Sequence, residues 1–133
     1  MSNDKEHLSI HKPEAMKLIL IVEDDASIGE MLVRAISEET PHQALLVPDS
    51  MHVLEIIKEY RPDLIILDYH LPRMNGLELY DRLQAMEGFE NIPTILTTAG
   101  VLQYDFQSRH LIGMSKPVDL NKLLDLIEEL LAR

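Results

Sequence analysis

Reactive polar side chains follow several of the short apolar runs in this chain. Carboxylates stand at Glu23, Asp24 and Asp68, a hydroxyl at Thr98 and an ammonium group at Lys116. If the runs are parallel strands of one sheet, these groups meet at the edge where ligands bind. Carboxylates packed that closely repel one another, so one of them would have to bind a proton unless a cation lies between them.

A hard divalent cation answers this requirement and also indicates a reaction. Mg²⁺ binds one or two carboxylates and keeps waters that a phosphate can displace. A carboxylate beside the ion can attack phosphorus and become an aspartyl phosphate. Because phosphoryl transfer depends mainly on positioning and charge neutralisation, Lys116 and Thr98 are suited to contact phosphoryl oxygens. The small side chain of Ala99 would leave the approach to Asp68 open.

The elements that must position these residues alternate along the chain. Strands are predicted at residues 17–22, 43–47, 64–67, 93–97 and, weakly because of Gly113, 111–115. Helices are predicted from apolar residues three and four apart within 28–36, 53–57, 77–86 and 120–130. Continuous apolar strands are typical of sheets buried on both faces. Five such βα units predict an α/β fold, a doubly wound five-stranded parallel sheet with helices on both faces.

Capping and turn residues mark the boundaries of these elements. The first helix can begin with a capping box from Ser27 to Glu30 or with Asp25 as its cap, and Asp119 is predicted to cap the last helix. Pro62 is predicted to stop the second helix. Residues 71–76 are predicted to form a loop that turns at Asn75-Gly76.

Length and composition restrict the class of protein. The 133 residues suit one domain, and the 46% of hydrophobic residues suffice for a core. The net charge of -11 argues against nucleic acid or an anionic membrane surface as the main partner. Without cysteine the chain has no disulfide or thiolate metal site. No apolar run approaches the ~20 residues of a membrane helix. We expect a flexible leader over residues 1–15, one domain over 16–133, and the cytoplasm as the compartment.

Four blocks of the sequence resemble the response-regulator receiver family of two-component signal transduction. They are Val22-Glu-Asp-Asp25, Asp68-Tyr-His-Leu-Pro-Arg-Met-Asn-Gly76, Thr98-Ala99 and Lys116-Pro117, in the family's order and each at a predicted strand end. The resemblance spans roughly residues 16–131. It implies a flavodoxin-like (βα)5 fold and a signalling switch that accepts a phosphoryl group.

The resemblance also implies roles for particular residues. Asp68 would be the phosphoacceptor and a metal ligand, Asp24 a direct ligand of Mg²⁺ or Mn²⁺, and Glu23 a ligand through water. The backbone carbonyl of His70 would complete the protein ligands. The side chain of His70 is expected at the rim of the site, where it would influence water access and dephosphorylation.

The remaining implied roles concern the phosphoryl oxygens and the backbone beside them. Thr98 and Lys116 would contact those oxygens, and the peptide bond before Pro117 would be cis. Asp25 is predicted to lie outside the site, as a helix-start charge. The other histidines show no ligand spacing and are expected at the surface: His7, His11, His42, His52 and His110.

Two departures from the family bear on signalling. Receivers commonly carry an aromatic or large residue three positions before the lysine, and Gly113 stands there. The stretch from Thr98 to Lys116 is also shorter than in typical members, which predicts that the helix between the fourth and fifth strands is short or irregular. We hypothesise that Tyr104 or Phe106 takes over the signalling role, or that the output uses another face.

The sequence leaves three function classes to compare. The leading one is a stand-alone phosphoacceptor switch that receives its phosphoryl group from a histidine kinase or phosphotransfer protein and changes the binding of a downstream protein. It would assist its own phosphorylation and dephosphorylation without acting on outside substrates. The alternative is a receiver-fold interaction module without phosphorylation. An aspartyl-nucleophile hydrolase would need a second Asp where His70 stands, and no nucleotide-binding glycine motif follows the first strand.

Overall fold

Strands and helices alternate along the backbone. The computed structural model describes residues 16–100 and 111–133. Its strands are β1 (Leu18–Val22), β2 (Gln43–Val47), β3 (Leu64–Asp68), β4 (Thr94–Thr98) and β5 (Leu111–Ser115). Its helices in those ranges are α1 (Ala26–Glu39), α2 (Ser50–Ile56), α3 (Gly76–Gln84) and α4 (Leu120–Leu131). No helix within the described ranges is long and apolar enough to cross a membrane.

The five strands form one parallel sheet in the order β2-β1-β3-β4-β5, which confirms the predicted fold class. The chain moves from β1 outward to β2 on one side and then continues through β3, β4 and β5 on the other. The direction of winding therefore changes between β1 and β3. Ligands of open α/β sheets bind at the carboxyl ends of the strands beside such a point.

Both faces of the sheet are buried under helices. Successive strand residues point to opposite sides, so each strand contributes to two separate hydrophobic clusters. One face packs with residues of α2, α3 and their neighbouring turns: Leu20, Val22, Ile65, Leu67, Leu96, Val53, Ile57, Leu79 and Leu83. The other packs with α1 and α4: Ile19, Ile21, Leu64, Ile66, Ile95, Leu32, Ile36, Leu123 and Ile127. Full burial of one such side chain contributes about 1.5–3 kcal/mol. Strand β1 is apolar along its whole length for this reason, and β3 is apolar up to Asp68.

Capping side chains begin all four described helices near the site edge, and Asp49 is the cap of α2. Asp25 accepts a hydrogen bond from the Ile28 amide, so it caps α1 rather than Ser27. Asp119 caps α4, as predicted. Asn75 and Glu78 form a reciprocal capping box on α3. The predicted loop is confirmed over residues 71–75, but the turn at Asn75-Gly76 is wrong, because Asn75 caps a helix that begins at Gly76.

Several predicted boundaries differ from the structure. Helix α2 ends at Ile56, before the proline expected to stop it, and β4 runs one residue further than predicted. Helix α3 ends at Gln84, so Met86 lies beyond it. The expectations for the leader, for the shortened helix, and for Tyr104 and Phe106 fall outside the described residues.

Candidate phosphoacceptor site

The site begins with carboxylates at the ends of β1 and β3. The pairing of Val22 with Leu67 brings the next residues of both strands, Glu23 and Asp68, to the same level of the sheet. One carboxylate oxygen from each of Glu23, Asp24 and Asp68 lies within 4.8 Å of the others. Glu23 and Asp68 are each 3% exposed, whereas Asp24 faces solvent. Three acidic groups thus converge, two of them out of water.

Lys116 joins this cluster from the end of β5. Its Nζ lies 3.0 Å from Glu23 Oε1 and 3.3 Å from Asp68 Oδ1. The backbone holds the residue in place, since the Lys116 amide donates to the Thr98 carbonyl at 2.8 Å. The Lys116–Pro117 peptide bond is cis, as the family resemblance implied. The ammonium group therefore bridges carboxylates from two different strands.

Burial and charge act against each other in this cluster. Burial raises the pKa of Glu23, although the hydrogen bonds from Lys116 and from the Asp25 amide oppose the rise. Burial by itself would lower the pKa of Lys116, but the hydrogen bond to Glu23 and the charge of Asp68 outweigh it and raise that pKa. One ammonium group faces three carboxylates, so the cluster retains negative charge that a divalent cation would neutralise.

The backbone after β3 holds Asp68 from the other side. The His70 amide donates to Asp68 Oδ1 at 3.2 Å. The Gly76 amide donates to the Tyr69 carbonyl at 2.9 Å and closes the loop. A Cβ at position 76 would lie 2.4 Å from the Asp68 carbonyl oxygen, closer than any real side chain allows. Glycine at this position is what lets α3 begin so near the acceptor strand.

The same loop is tied to the start of α2. The fully buried Ser50 hydroxyl donates to the Met74 carbonyl at 2.7 Å. Arg73, at a positive φ of 68°, forms an ion pair with Asp49. Sequence reasoning missed these contacts, because residues 24 apart meet only when both loops reach the same sheet edge. Ser50 and Asp49 follow β2 as Tyr69 follows β3, which was the available signal.

Thr98 brings a hydroxyl to the site from the end of β4. Its side chain is 1% exposed, and Oγ1 accepts a hydrogen bond from the Gly100 amide at 3.1 Å. Oγ1 also lies 3.3 Å from Nε2 of His70, a second contact that the sequence did not indicate. The imidazole of His70 is exposed and meets the Tyr69 ring edge-to-face, with ring centroids 4.9 Å apart.

The predicted site residues thus meet in two linked groups. Glu23, Asp24, Asp68 and Lys116 form one cluster, and Thr98 is linked to it through His70, whose amide contacts Asp68. The role of the His70 carbonyl in metal binding is still a prediction, and so is the role of the His70 side chain in dephosphorylation.

The remaining histidines are not part of this cluster where the structure describes them. His52 is exposed, as predicted. His42 is half-buried, and its Nδ1 accepts a hydrogen bond from the Lys17 amide at 3.2 Å. It therefore helps to hold the start of β1 beside β2, a structural role that its spacing did not indicate. His7, His11 and His110 lie outside the described residues.

Comparison with known proteins identifies the family. Residues 19–128 match the family described as response regulator receiver domain. Sporulation initiation phosphotransferase F of Bacillus subtilis is 32% identical over 117 residues, which cover 85% of this chain and 92% of that protein. The polar-differentiation response regulator DivK of Brucella anthropi is 29% identical over 119 residues, 86% of this chain and 96% of that one.

Longer proteins and solved structures match as well. The chain spans 17% of the length of the sensory/regulatory protein RpfC of Xanthomonas campestris, with 29% identity over 126 residues and 90% of this chain covered. A putative response regulator from Chloroflexus aurantiacus superposes with a TM-score of 0.80 at 24% identity, over 88% of this chain and 98% of that one. The superposition supports the fold alone.

The chain belongs to the response regulator receiver domain family. It is a phosphoacceptor signalling switch of two-component signal transduction, and the alternative of an interaction module without phosphorylation is not favoured.

Proposed function

We propose that Asp68 is the residue that accepts the phosphoryl group. The observation that carries this proposal is the bridging of Glu23 and Asp68 by Lys116, at 3.0 and 3.3 Å, inside a group of three converging carboxylates. Asp68 is one of the two buried members of that group. It contacts the ammonium group and a backbone amide through one oxygen, Oδ1. A carboxylate held by donors on one oxygen is oriented to attack with the other.

We further propose that Glu23, Asp24, Asp68 and the backbone carbonyl of His70 hold Mg²⁺ or Mn²⁺. The donor set consists of oxygen atoms, which these hard cations prefer. The convergence of the carboxylate oxygens within 4.8 Å and the excess of negative charge support the fit. The bound ion would neutralise phosphoryl oxygens and Asp68 together, which is the main requirement of phosphoryl transfer.

The protein side chains supply the remaining contacts. An Asp68 oxygen attacks phosphorus while the bond from phosphorus to the donor's leaving group breaks. The leaving group keeps the electron pair of that bond, so the total charge of the chain and the donor does not change. Lys116 is already within ion-pair distance of Asp68 and turns to a phosphoryl oxygen as Asp68 loses its own charge. The Thr98 hydroxyl donates to another oxygen.

A histidine kinase or a phosphotransfer protein is the proposed donor, and a protein whose binding changes on phosphorylation is the proposed target. We also propose a cytoplasmic location and no reaction on outside substrates. The signalling role of the family supports these proposals. We also propose that the domain covers residues 16–133. The family match over residues 19–128 supports these bounds.

Incubation with acetyl phosphate and Mg²⁺, followed by intact mass measurement, tests the acceptor. The wild-type chain should gain one phosphoryl group, and the gain should depend on the divalent cation. The matched control is Asp68→Asn, which keeps the shape of the side chain and removes its nucleophile. A second control is Asp63→Asn, at a carboxylate that binds the Leu18 amide away from the cluster.

The expected result is an adduct on the wild type and on Asp63→Asn, and none on Asp68→Asn. An equal adduct on Asp68→Asn would show that another residue accepts the group. A wild-type chain that gains no phosphoryl group in the presence of Mg²⁺ would overturn the proposal and return the interaction module without phosphorylation as the better function.

A further inference from the structure

The Thr98 hydroxyl lies in the interior yet is linked directly to an exposed side chain. Thr98 is 1% exposed, and its Oγ1 has two described partners, the Gly100 amide at 3.1 Å and His70 Nε2 at 3.3 Å. His70 itself is exposed. A change in the hydrogen bonding of this hydroxyl would therefore alter the position of an exposed side chain through one contact.

The imidazole also connects to a second ring. His70 and Tyr69 meet edge-to-face, with an interplanar angle of 86°, and Tyr69 is half-buried against the core beneath α2 and α3. The neighbouring strand offers no comparable path at Gly113, which pairs with Leu96 and has no side chain to rotate. The described contacts of Thr98 thus lead toward the loop after β3.

We propose that, in the resting state, the Thr98 hydroxyl donates its hydrogen to Nε2 of His70, with the ring proton on Nδ1. Phosphorylation of Asp68 breaks this hydrogen bond, and His70 and Tyr69 carry the change to the surface. The proposal rests on the proposed function, because it needs a phosphoryl group on Asp68. It assigns to the His70 side chain a positioning role for Thr98, separate from the metal-binding role of the His70 carbonyl.

Competition for a single hydrogen atom gives the physical reason. A hydroxyl has one hydrogen, so Thr98 cannot donate to an imidazole nitrogen and to a phosphoryl oxygen at the same time. Hydrogen bonds to charged acceptors are roughly twice as strong as bonds between neutral groups. The hydroxyl therefore donates to the phosphoryl oxygen in preference to the imidazole. The imidazole loses this hydrogen bond and is free to move toward Tyr69.

Competition of this kind predicts that removal of the imidazole acceptor favours the phosphoryl-bound state. The probe is beryllofluoride, a stable phosphoryl mimic, titrated by calorimetry into the whole chain in Mg²⁺. His70→Phe keeps a ring beside Tyr69 and cannot hydrogen-bond to Thr98. It should bind the mimic about two- to tenfold more tightly than the wild type, the range expected for one hydrogen bond. His70→Gln keeps a hydrogen-bonding group and should shift the affinity less.

A double-mutant comparison separates this competition from a general structural effect. In a Thr98→Val background, which lacks the hydroxyl but keeps its shape, His70→Phe should leave the affinity for the mimic unchanged. NMR supplies a second readout. The ring signals of Tyr69 should move when the mimic binds to the wild type, and they should move less in the Thr98→Val chain.

The outcomes distinguish this inference from the function on which it rests. If the mimic binds in an Asp68-dependent manner but His70→Phe has no effect, or has the same effect in the Thr98→Val background, the inference is wrong and the proposed function stands. If the wild type fails to bind the mimic, or Asp68→Asn binds it equally well, both are overturned.

Discussion

Strands β3 and β5 both deliver a residue to the site, but their surroundings differ. All five residues of β3 are buried, and Asp68 is the last of them. In β5 only Leu111 is buried, three residues are half-buried, and Ser115, just before Lys116, is exposed. The proposed acceptor therefore stands on a strand that is buried along its whole length, whereas its lysine partner follows a strand at the edge of the sheet.

This difference separates two requirements of a switch. A nucleophile must be held in one geometry, which a strand packed on both faces provides. A group that must change partners needs surroundings that yield, and elements with fewer buried contacts open at lower cost. We infer that the chemistry depends on β1 and β3, and that the response to it is expressed near β5 and the loop after β3.

The largest effect is expected from matched truncations in the two strands. Ile66 of β3 is 2% exposed, and Ile112 of β5 is half-buried on the same face, with Ile95 between them. Ile66→Ala should lower the free energy of unfolding by about 2–5 kcal/mol because it leaves a cavity. Ile112→Ala should cost about half as much, since solvent already reaches it. Urea unfolding followed by circular dichroism measures both, and equal losses would contradict the contrast.

A second effect concerns the backbone beside the acceptor. Gly76→Ala forces a Cβ toward the Asp68 carbonyl oxygen, where it would lie at 2.4 Å, and should cost about 1–3 kcal/mol through displaced backbone. The phosphorylation rate from acetyl phosphate should fall with it. Gly100→Ala is the control, because its Cβ would make only an ordinary contact of 3.7 Å with Thr98 Oγ1. Similar losses for both variants would argue against a special close approach at Gly76.

A smaller effect, of opposite sign, is expected at Glu23 in the absence of divalent cations. Folding raises the pKa of Glu23 above its ordinary value of 4.5, chiefly through burial, so the ionised group destabilises the folded chain at neutral pH. Glu23→Gln should therefore raise the free energy of unfolding at pH 7 in a chelator. The gain should shrink as the pH falls through the raised pKa toward 4.5, because the wild-type carboxylate of the folded chain then takes up a proton.

Added Mg²⁺ should reverse this order, because a cation that binds the folded wild type stabilises it by mass action. Thermal unfolding with and without Mg²⁺ is the measurement, and Glu38→Gln, at an exposed position of α1, is the control. A Glu23→Gln chain that gains as much from Mg²⁺ as the wild type does would count against Glu23 as part of the metal site.

The smallest effect is expected in the exposed loop after β3. Folding lowers the pKa of Asp49, first through the hydrogen bond from the Met51 amide and then through the charge of Arg73. Its contribution to stability is present above its ordinary pKa of 3.8 and is lost as the pH falls through the lowered value. Arg73→Ala should move the pKa of Asp49 back toward 3.8, as followed by carboxyl NMR.

Arg82→Ala, a change at an exposed arginine of α3, should leave the titration of Asp49 as it is in the wild type. If both variants give the wild-type curve, the ion pair between Arg73 and Asp49 does not persist in solution. In that case the loop after β3 is held by the buried Ser50 bond to Met74 instead.

Much of the fold was predictable because its signals are local. The continuous apolar runs around Leu20 and Ile66 indicated strands buried on both faces, and Asp119 indicated the start of the last helix. Boundaries were less accurate. Asn75-Gly76 has the composition of a turn, yet Glu78 completes a capping box with Asn75 and starts a helix.

The sequence by itself determined which side chains stand at the strand ends, because apolar runs and the capping residues that bound them follow from local chemistry. From that it also determined that Glu23, Asp24, Asp68 and Lys116 would be neighbours in a parallel sheet. Only the tertiary structure decided that His70 contacts Thr98 and that Ser50 holds Met74. Such contacts join residues 28 and 24 positions apart, and they depend on strand register and loop path, which no local pattern encodes.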